Sequence, residues 1–230
     1  MCANYRPVTQ SDRMMTFFGV ERAKDELPID VWPTGLAPFI RLAEHGSGNV
    51  LVAEEGLFGL LPGFQVEVAA GRHTYNARSE TVTIKPSFRE SWKKGWRCIV
   101  PTESIYEPNY ETGERVRWHI QQFGAVPMGI AGIYREWTSP TGQKVMTFTM
   151  LTINADTHAI FKHLHKPQLD KKTKAPLPPE LQDKRMVVVL NEDAYTAWLD
   201  APAEASDQFL VQYPAARLLA TAEPKEPSID

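Results

Sequence analysis

Five apolar segments follow one another from residue 97 onward: "RCIVP" (97–101), "RVRWHI" (115–120), "VPMGIAGIY" (126–134), "VMTFTMLTI" (145–153) and "RMVVVL" (185–190). Each is short enough to read as a strand, and the fourth alternates as a half-buried strand does. Upstream, "NVLVAEEGLFGLLPGF" (49–64) reads as two strands joined at a Glu-Gly turn. Strands met in local order pair as antiparallel hairpins. The fold class expected is therefore α+β, a single domain on a mainly antiparallel, barrel-like sheet with a few flanking helices.

The helices are short. Ser11 is placed to cap "DRMMTFF", whose Met14, Met15, Phe17 and Phe18 are available for burial. Ser87 and Glu90 stand in capping-box relation before a helix that Gly95 stops. Asn154 or Asp156 is expected to cap a short helix over "THAIFKHLH", and Asn191 one over "EDAYTAWL". No repeat or long linker divides the 230 residues, so one domain over 1–220 is expected, with a frayed tail over 221–230.

No apolar stretch approaches the roughly 18 residues of a membrane span, and no signal-like segment opens the chain. The expectation is a cytoplasmic monomer, nucleoid-associated if bacterial. The net charge of −3 offers nucleic acid nothing, but the distribution does. Lys162, Lys166, Lys171, Lys172, Lys174, Lys184 and Arg185 fall together, and so do Arg72, Arg78, Lys85, Arg89, Lys93, Lys94 and Arg97, while acids dominate after Asn191. The expectation is a basic face behind an acidic total, with dispersed solvated surface charge as the alternative.

One of the two cysteines directly follows the initiator methionine. If Met1 is removed, Cys2 carries a thiol and a free α-amine on adjacent carbons. With ordinary pKa values of about 8 for the amine and about 8.5 for the thiol, part of the amine is unprotonated near neutrality. Such a 1,2-aminothiol captures aldehydes. The spacing His158, His163, His165 would suit a metal only with companion ligands, which the sequence does not supply. No metal and no cofactor is expected.

Four stretches act together: Cys2 behind Met1; Asn76, Ala77, Arg78 and Glu80; Arg97, Cys98 and Pro101 leading to Tyr106 and Glu107; and His165 before an apolar strand. In this order they resemble the SRAP-domain family of abasic-site-processing proteins, over roughly residues 1–200. The resemblance implies binding of single-stranded DNA that contains abasic sites, and a covalent thiazolidine crosslink between Cys2 and the open abasic aldehyde. Lyase activity and self-removal of Met1 are implied too, although a host aminopeptidase would serve equally for the latter.

On that resemblance the catalytic residues are Cys2, Asn76, Glu107 and His165. The carboxylate and imidazole would move protons, and Asn76 would orient the terminus or the sugar. Arg78, Arg97 and Lys166 would contact phosphates, and Phe58 and Phe64 would stack on bases, although aromatics of this kind, Trp92 and Trp96 included, are more often core.

The chain departs from the family pattern at Ala3 and Asn4 (usually Gly-Arg), at Phe58, Phe64 and Pro108 (usually Trp) and at Val187 (usually Pro). It also carries a Lys- and Pro-rich segment, 166–184, expected to form an extended basic loop. Two rivals use fewer of these residues. An N-terminal-nucleophile amidohydrolase needs Cys2 alone, and a plain single-strand-binding module needs only the basic segments.

Overall fold

The computed structural model describes residues 2–22, 29–43 and 50–223. Its strands and helices run β1 (Asn4–Pro7), α1 (Ser11–Phe18), β2 (Leu36–Leu42), β3 (Leu51–Phe58), β4 (Asn76–Arg78), α2 (Arg89–Lys93), β5 (Arg97–Asn109), β6 (Val116–Gln122) and β7 (Met128–Thr138). Then follow β8 (Lys144–Asn154), β9 (Arg185–Val187), β10 (Val189–Leu190), α3 (Tyr195–Leu199) and β11 (Leu218–Ala222). β7 pairs with β8, β8 with β3, β3 with β2, β2 with β5, and β5 back with β7. Five strands thus close a barrel, which removes the exposed edges an open sheet would leave. Every junction is antiparallel except β3 with β8, which is parallel and makes the barrel mixed.

The long strand β5 does two jobs. Its first half, Arg97 to Thr102, pairs with β7 in the barrel wall. Its second half leaves the barrel and is flanked by β1, with Asn4 opposite Tyr106, and by β6, with Glu107 opposite Trp118. β11 extends this outer sheet by pairing with β6. Because β1 runs antiparallel to β5, the start of the chain is carried past Tyr106 toward Glu107.

Aromatic rings fill the barrel. Phe148 lies 5.5 Å from Phe39 and 5.6 Å from Phe58, and Phe58 meets Tyr5 at 5.2 Å and Tyr75 at 5.7 Å between ring centroids. Phe58 is fully buried, so it packs the core and cannot stack on a base, contrary to expectation. Truncating such a ring removes both transfer free energy and packing. Phe58→Ala is expected to lower stability by about 3–5 kcal/mol, read as a shifted urea midpoint; a midpoint within error of the parent would contradict the packing described.

Several local expectations are revised. β3 runs unbroken through Glu54, Glu55 and Gly56, and its hairpin partner is β2, not "LLPGF". Gly56 marks a close approach, since a Cβ there would stand 2.9 Å from Phe39 Cε1 and 3.0 Å from the Met146 carbonyl oxygen. β8 is buried on both faces from Thr147 to Ile153, and β4 and β9 pair with it at its C-terminal end. Gln10 occupies the N-cap position of α1 without a side-chain cap, while the Ser11 hydroxyl donates to the Arg22 carbonyl; Met14 and Phe18 are buried and Met15 is exposed.

Phe88, not Ser87, occupies the N-cap position of α2 and supplies no side-chain cap, and Glu90 pairs with Arg135 and Lys94. Gly95 stops the chain as expected, with φ +67°. "THAIFKHLH" forms only a 3₁₀ turn, Phe161–His163. Pairing of β11 reaches Ala222, two residues past the boundary expected at 220, while 224–230 lie outside the described residues. No described helix is long and apolar enough to cross a membrane.

Candidate functional site

The site is built where the chain start crosses β5. Cys2 is 1% exposed, and Asn76 Nδ2 donates to its carbonyl oxygen at 2.7 Å. Burial, with the charge of Glu107 adding, pushes the Cys2 thiol well above its ordinary pKa, so the sulfur is protonated near neutral pH. Asn76 reaches this position because β4 lies parallel to β8, Asn76 opposite Met150. Its Oδ1 is buried and finds no hydrogen-bond partner among the described residues, an arrangement that calls for an explanation. Met1 lies outside the described residues.

Glu107 stands on β5 and is 2% exposed. Its Oε2 is 2.8 Å from His165 Nε2. Burial alone would raise the carboxyl, but the His165 imidazole first, and the amino terminus of the chain with it, outweigh burial and hold Glu107 below its ordinary range. Glu107 is therefore the ionised acceptor and Nε2 the donor. His165 sits in the left-handed region, φ +64°, and its backbone N–H donates to the Pro108 carbonyl at 2.6 Å. A non-glycine residue held there stores of order 1–3 kcal/mol of backbone strain. Tyr75 lies close enough for the charges of Glu107 and Cys2, after burial, to raise its hydroxyl pKa. Its only signal in the sequence is its place directly before Asn76.

The structure brings Cys2, Asn76, Glu107 and His165 together. The expected DNA contacts divide. Arg78 is partly exposed and pairs with Asp183 at 2.7 Å. Phe64, 61% exposed, and Lys166 are both at the surface. Arg97 is corrected: it is 1% exposed, donates twice to Ser206 Oγ, and lies against Trp92 at 4.1 Å and Trp198 at 5.3 Å. Burial lowers its pKa to about 10. At about 3.3 Å per residue it also stands roughly 30 Å along β5 from Glu107. Trp92 is core, and Trp96 rests against Tyr134.

The two imidazoles nearest in sequence, His158 and His163, are occupied. His158 Nε2 faces the Tyr213 carbonyl while its Nδ1 accepts from Ile160 and Phe161, and His163 pairs with Glu111 at 2.6 Å. Among the described residues no group of three or more His, Cys, Asp or Glu is placed to hold a metal. A cavity of about 480 Å³ is lined by His165, by the Glu111–His163 pair and by a wall that includes Pro167, Pro176 and Pro179. The 166–184 segment forming that wall folds back on itself and is not extended. Leu169 bridges to Pro176, and Gln182 bonds to the backbone of Gln168 and Leu177. Lys171, Lys172 and Lys174 are exposed on it, whereas Lys184 turns inward.

A closed mixed barrel with the chain's own beginning buried beside a carboxylate–imidazole pair defines a class in which the N-terminal region is part of the candidate reactive centre. Comparison with known proteins gives that class a family. The chain belongs to the SRAP family, whose model, described as SOS response associated peptidase, matches residues 1–223.

Abasic site processing protein YoaM of Bacillus subtilis (strain 168) is 27% identical over 154 residues, 66% of this chain and 58% of that protein, so the match spans less than two thirds of YoaM. Abasic site processing protein YobE of the same organism is 26% identical over 205 residues, 87% of this chain and 82% of that protein. The crystal structure of a Bordetella bronchiseptica protein superposes with TM-score 0.84 at 34% identity, covering 97% of this chain and all 100% of that one. A Bacteroides thetaiotaomicron structure shares the fold at TM-score 0.76 and 21% identity, over 96% of this chain and 91% of that one.

Proposed function

We propose that this protein processes abasic sites in single-stranded DNA by capturing the open-chain aldehyde on Cys2 once Met1 is removed. The observation that carries the reading is the burial of Cys2 among Asn76, Glu107 and His165, joined to a family whose relatives are named for abasic-site processing. The freed amine adds to the aldehyde carbon, and the carbinolamine loses water to give an iminium. The protonated thiol then adds across the C=N bond: a C–S bond forms, the sulfur proton leaves to a base, and nitrogen keeps its own. The product is a five-membered thiazolidine, and water is the only by-product. Ring closure is intramolecular and gains from proximity.

Glu107 takes and returns the protons of ring-opening and dehydration, with His165 as its partner at the sugar oxygen. The unpaired Asn76 Oδ1 accepts a hydrogen from the freed amine. β-Elimination from the same iminium accounts for lyase activity, and release of Met1 proceeds by self-processing or by an aminopeptidase. Arg78, Phe64 and Lys166 hold the strand, Arg78 exchanging Asp183 for a phosphate.

The test is incubation of purified protein, with its N-terminus verified by mass spectrometry, with an oligonucleotide bearing one abasic site. A heat-stable adduct on Cys2 is expected. Amide hydrolysis without an adduct would mark an amidohydrolase, and binding without an adduct a plain binding module. The loop adds a prediction. Each phosphate contact contributes a slope of about 0.7 in log affinity against log salt for single strands. Replacing Lys171, Lys172 and Lys174 by Ala is expected to flatten that slope by up to about three contacts and to leave the saturating crosslinking rate unchanged. An unaltered slope would remove the loop tip from the DNA interface.

A further inference from the structure

The 166–184 loop returns on a buried ammonium. Lys184 is 7% exposed, and its Nζ donates to the carbonyls of Leu164 at 2.6 Å and His165 at 2.9 Å. These carbonyls belong to the residues from which the loop departs, so one side chain ties its exit to its return. Around it, the Lys184 backbone N–H donates to Asp156 Oδ1 at 2.6 Å, and the Ala155 N–H donates to the Lys184 carbonyl at 2.7 Å. The stem of Lys184 is thus fixed before its ammonium reaches across.

His165 is the residue that needs such a tie. Its left-handed backbone is intrinsically unfavourable for a side chain with a β-carbon, and that backbone directs the imidazole to Glu107. Two backbone contacts oppose relaxation: the His165 N–H on the Pro108 carbonyl, and Lys184 on the carbonyls of Leu164 and His165. The first lies on β5 itself; the second comes wholly from the loop.

We propose that Lys184 is a positioning residue that holds His165 in the left-handed conformation required for its hydrogen bond to Glu107. Lys184 touches neither Cys2 nor Glu107 and acts only through His165. Its role in catalysis rests on the function proposed above, but its hold on His165 is a property of the free protein.

The test uses both levels. In full-length protein without DNA, the His165 Nε2 proton donated to ionised Glu107 is expected as a downfield resonance that His165→Ala removes. Lys184→Met is expected to abolish or strongly shift that resonance while the backbone amide spectrum elsewhere is retained. Lys184→Arg, which restores a cationic donor, is expected to bring it back. If Lys184→Met does not fold, Lys184→Gln, with donors but no charge, takes its place.

At saturating abasic DNA, Lys184→Met is expected to crosslink about 10²-fold more slowly, the scale of a misplaced reacting group. It should add nothing in a His165→Ala background, because residues acting through one another are non-additive. An unshifted resonance in Lys184→Met, or a full rate loss persisting on His165→Ala, overturns the proposal. Parent protein that shows the resonance but forms no adduct overturns the proposed function instead.

Discussion

Cys2→Ala is expected to form no heat-stable adduct with abasic single-stranded DNA, while Cys98→Ala forms it at the parent rate. The two cysteines are equally buried and both thiols are raised in pKa by burial, so thiol chemistry alone does not distinguish them. What separates them is the amine that only position 2 acquires. Without sulfur, the alanine variant can still form the iminium through its α-amine, so borohydride is expected to trap a reduced conjugate that heat alone would not preserve. Placing one residue between Met1 and Cys2 should match the loss of the thiol, because it moves the amine off the aminothiol. A stable adduct from Cys2→Ala at the parent rate would end the thiazolidine mechanism.

Glu107→Gln is expected to slow crosslinking by roughly 10² to 10⁴, the range of general acid–base contributions, with affinity for undamaged single strands unchanged. The amide keeps the shape but takes up no proton, and it leaves His165 without its anionic acceptor. Because His165 and the chain's amino group together hold the parent carboxyl below its ordinary range, protonation of Glu107 should create no acid limb in the rate profile above about pH 4. An inflection near pH 5 to 6 that Glu107→Gln removes would contradict this environment. A parallel fall in rate and in binding of undamaged DNA would show that Glu107 shapes the groove and not the chemistry.

The strands from Arg97 to Leu190 were legible because their apolar, β-branched and aromatic runs have no other economical use. Gly56 was not: a glycine inside a strand pattern reads as a turn unless one knows that Phe39 and the Met146 backbone press against it. Ser87 and Glu90 had the spacing of a cap, but Arg135, from a distant strand, outcompetes the local backbone for the carboxylate. In the site, Cys2, Asn76, Glu107 and His165 could be picked out by their order along the chain, and the fold brings them together. Arg97 shared a motif with Glu107 yet is buried by Ser206 and two tryptophans, partners no local pattern announces. Lys184 looked like its neighbours in a basic run; only the fold shows that it faces inward.

The tie between Lys184 and the backbone at His165 has a consequence for how this chain can vary. A loop whose two ends are pinned within hydrogen-bonding distance is a closed excursion, and the tie at its ends does not depend on its length. Doubling such a loop costs only about 0.6 kcal/mol of closure entropy. The loop tip, residues 170–175, can therefore be lengthened, recharged or exchanged for another segment as a module, with the imidazole kept in register so long as the ammonium at the return is retained.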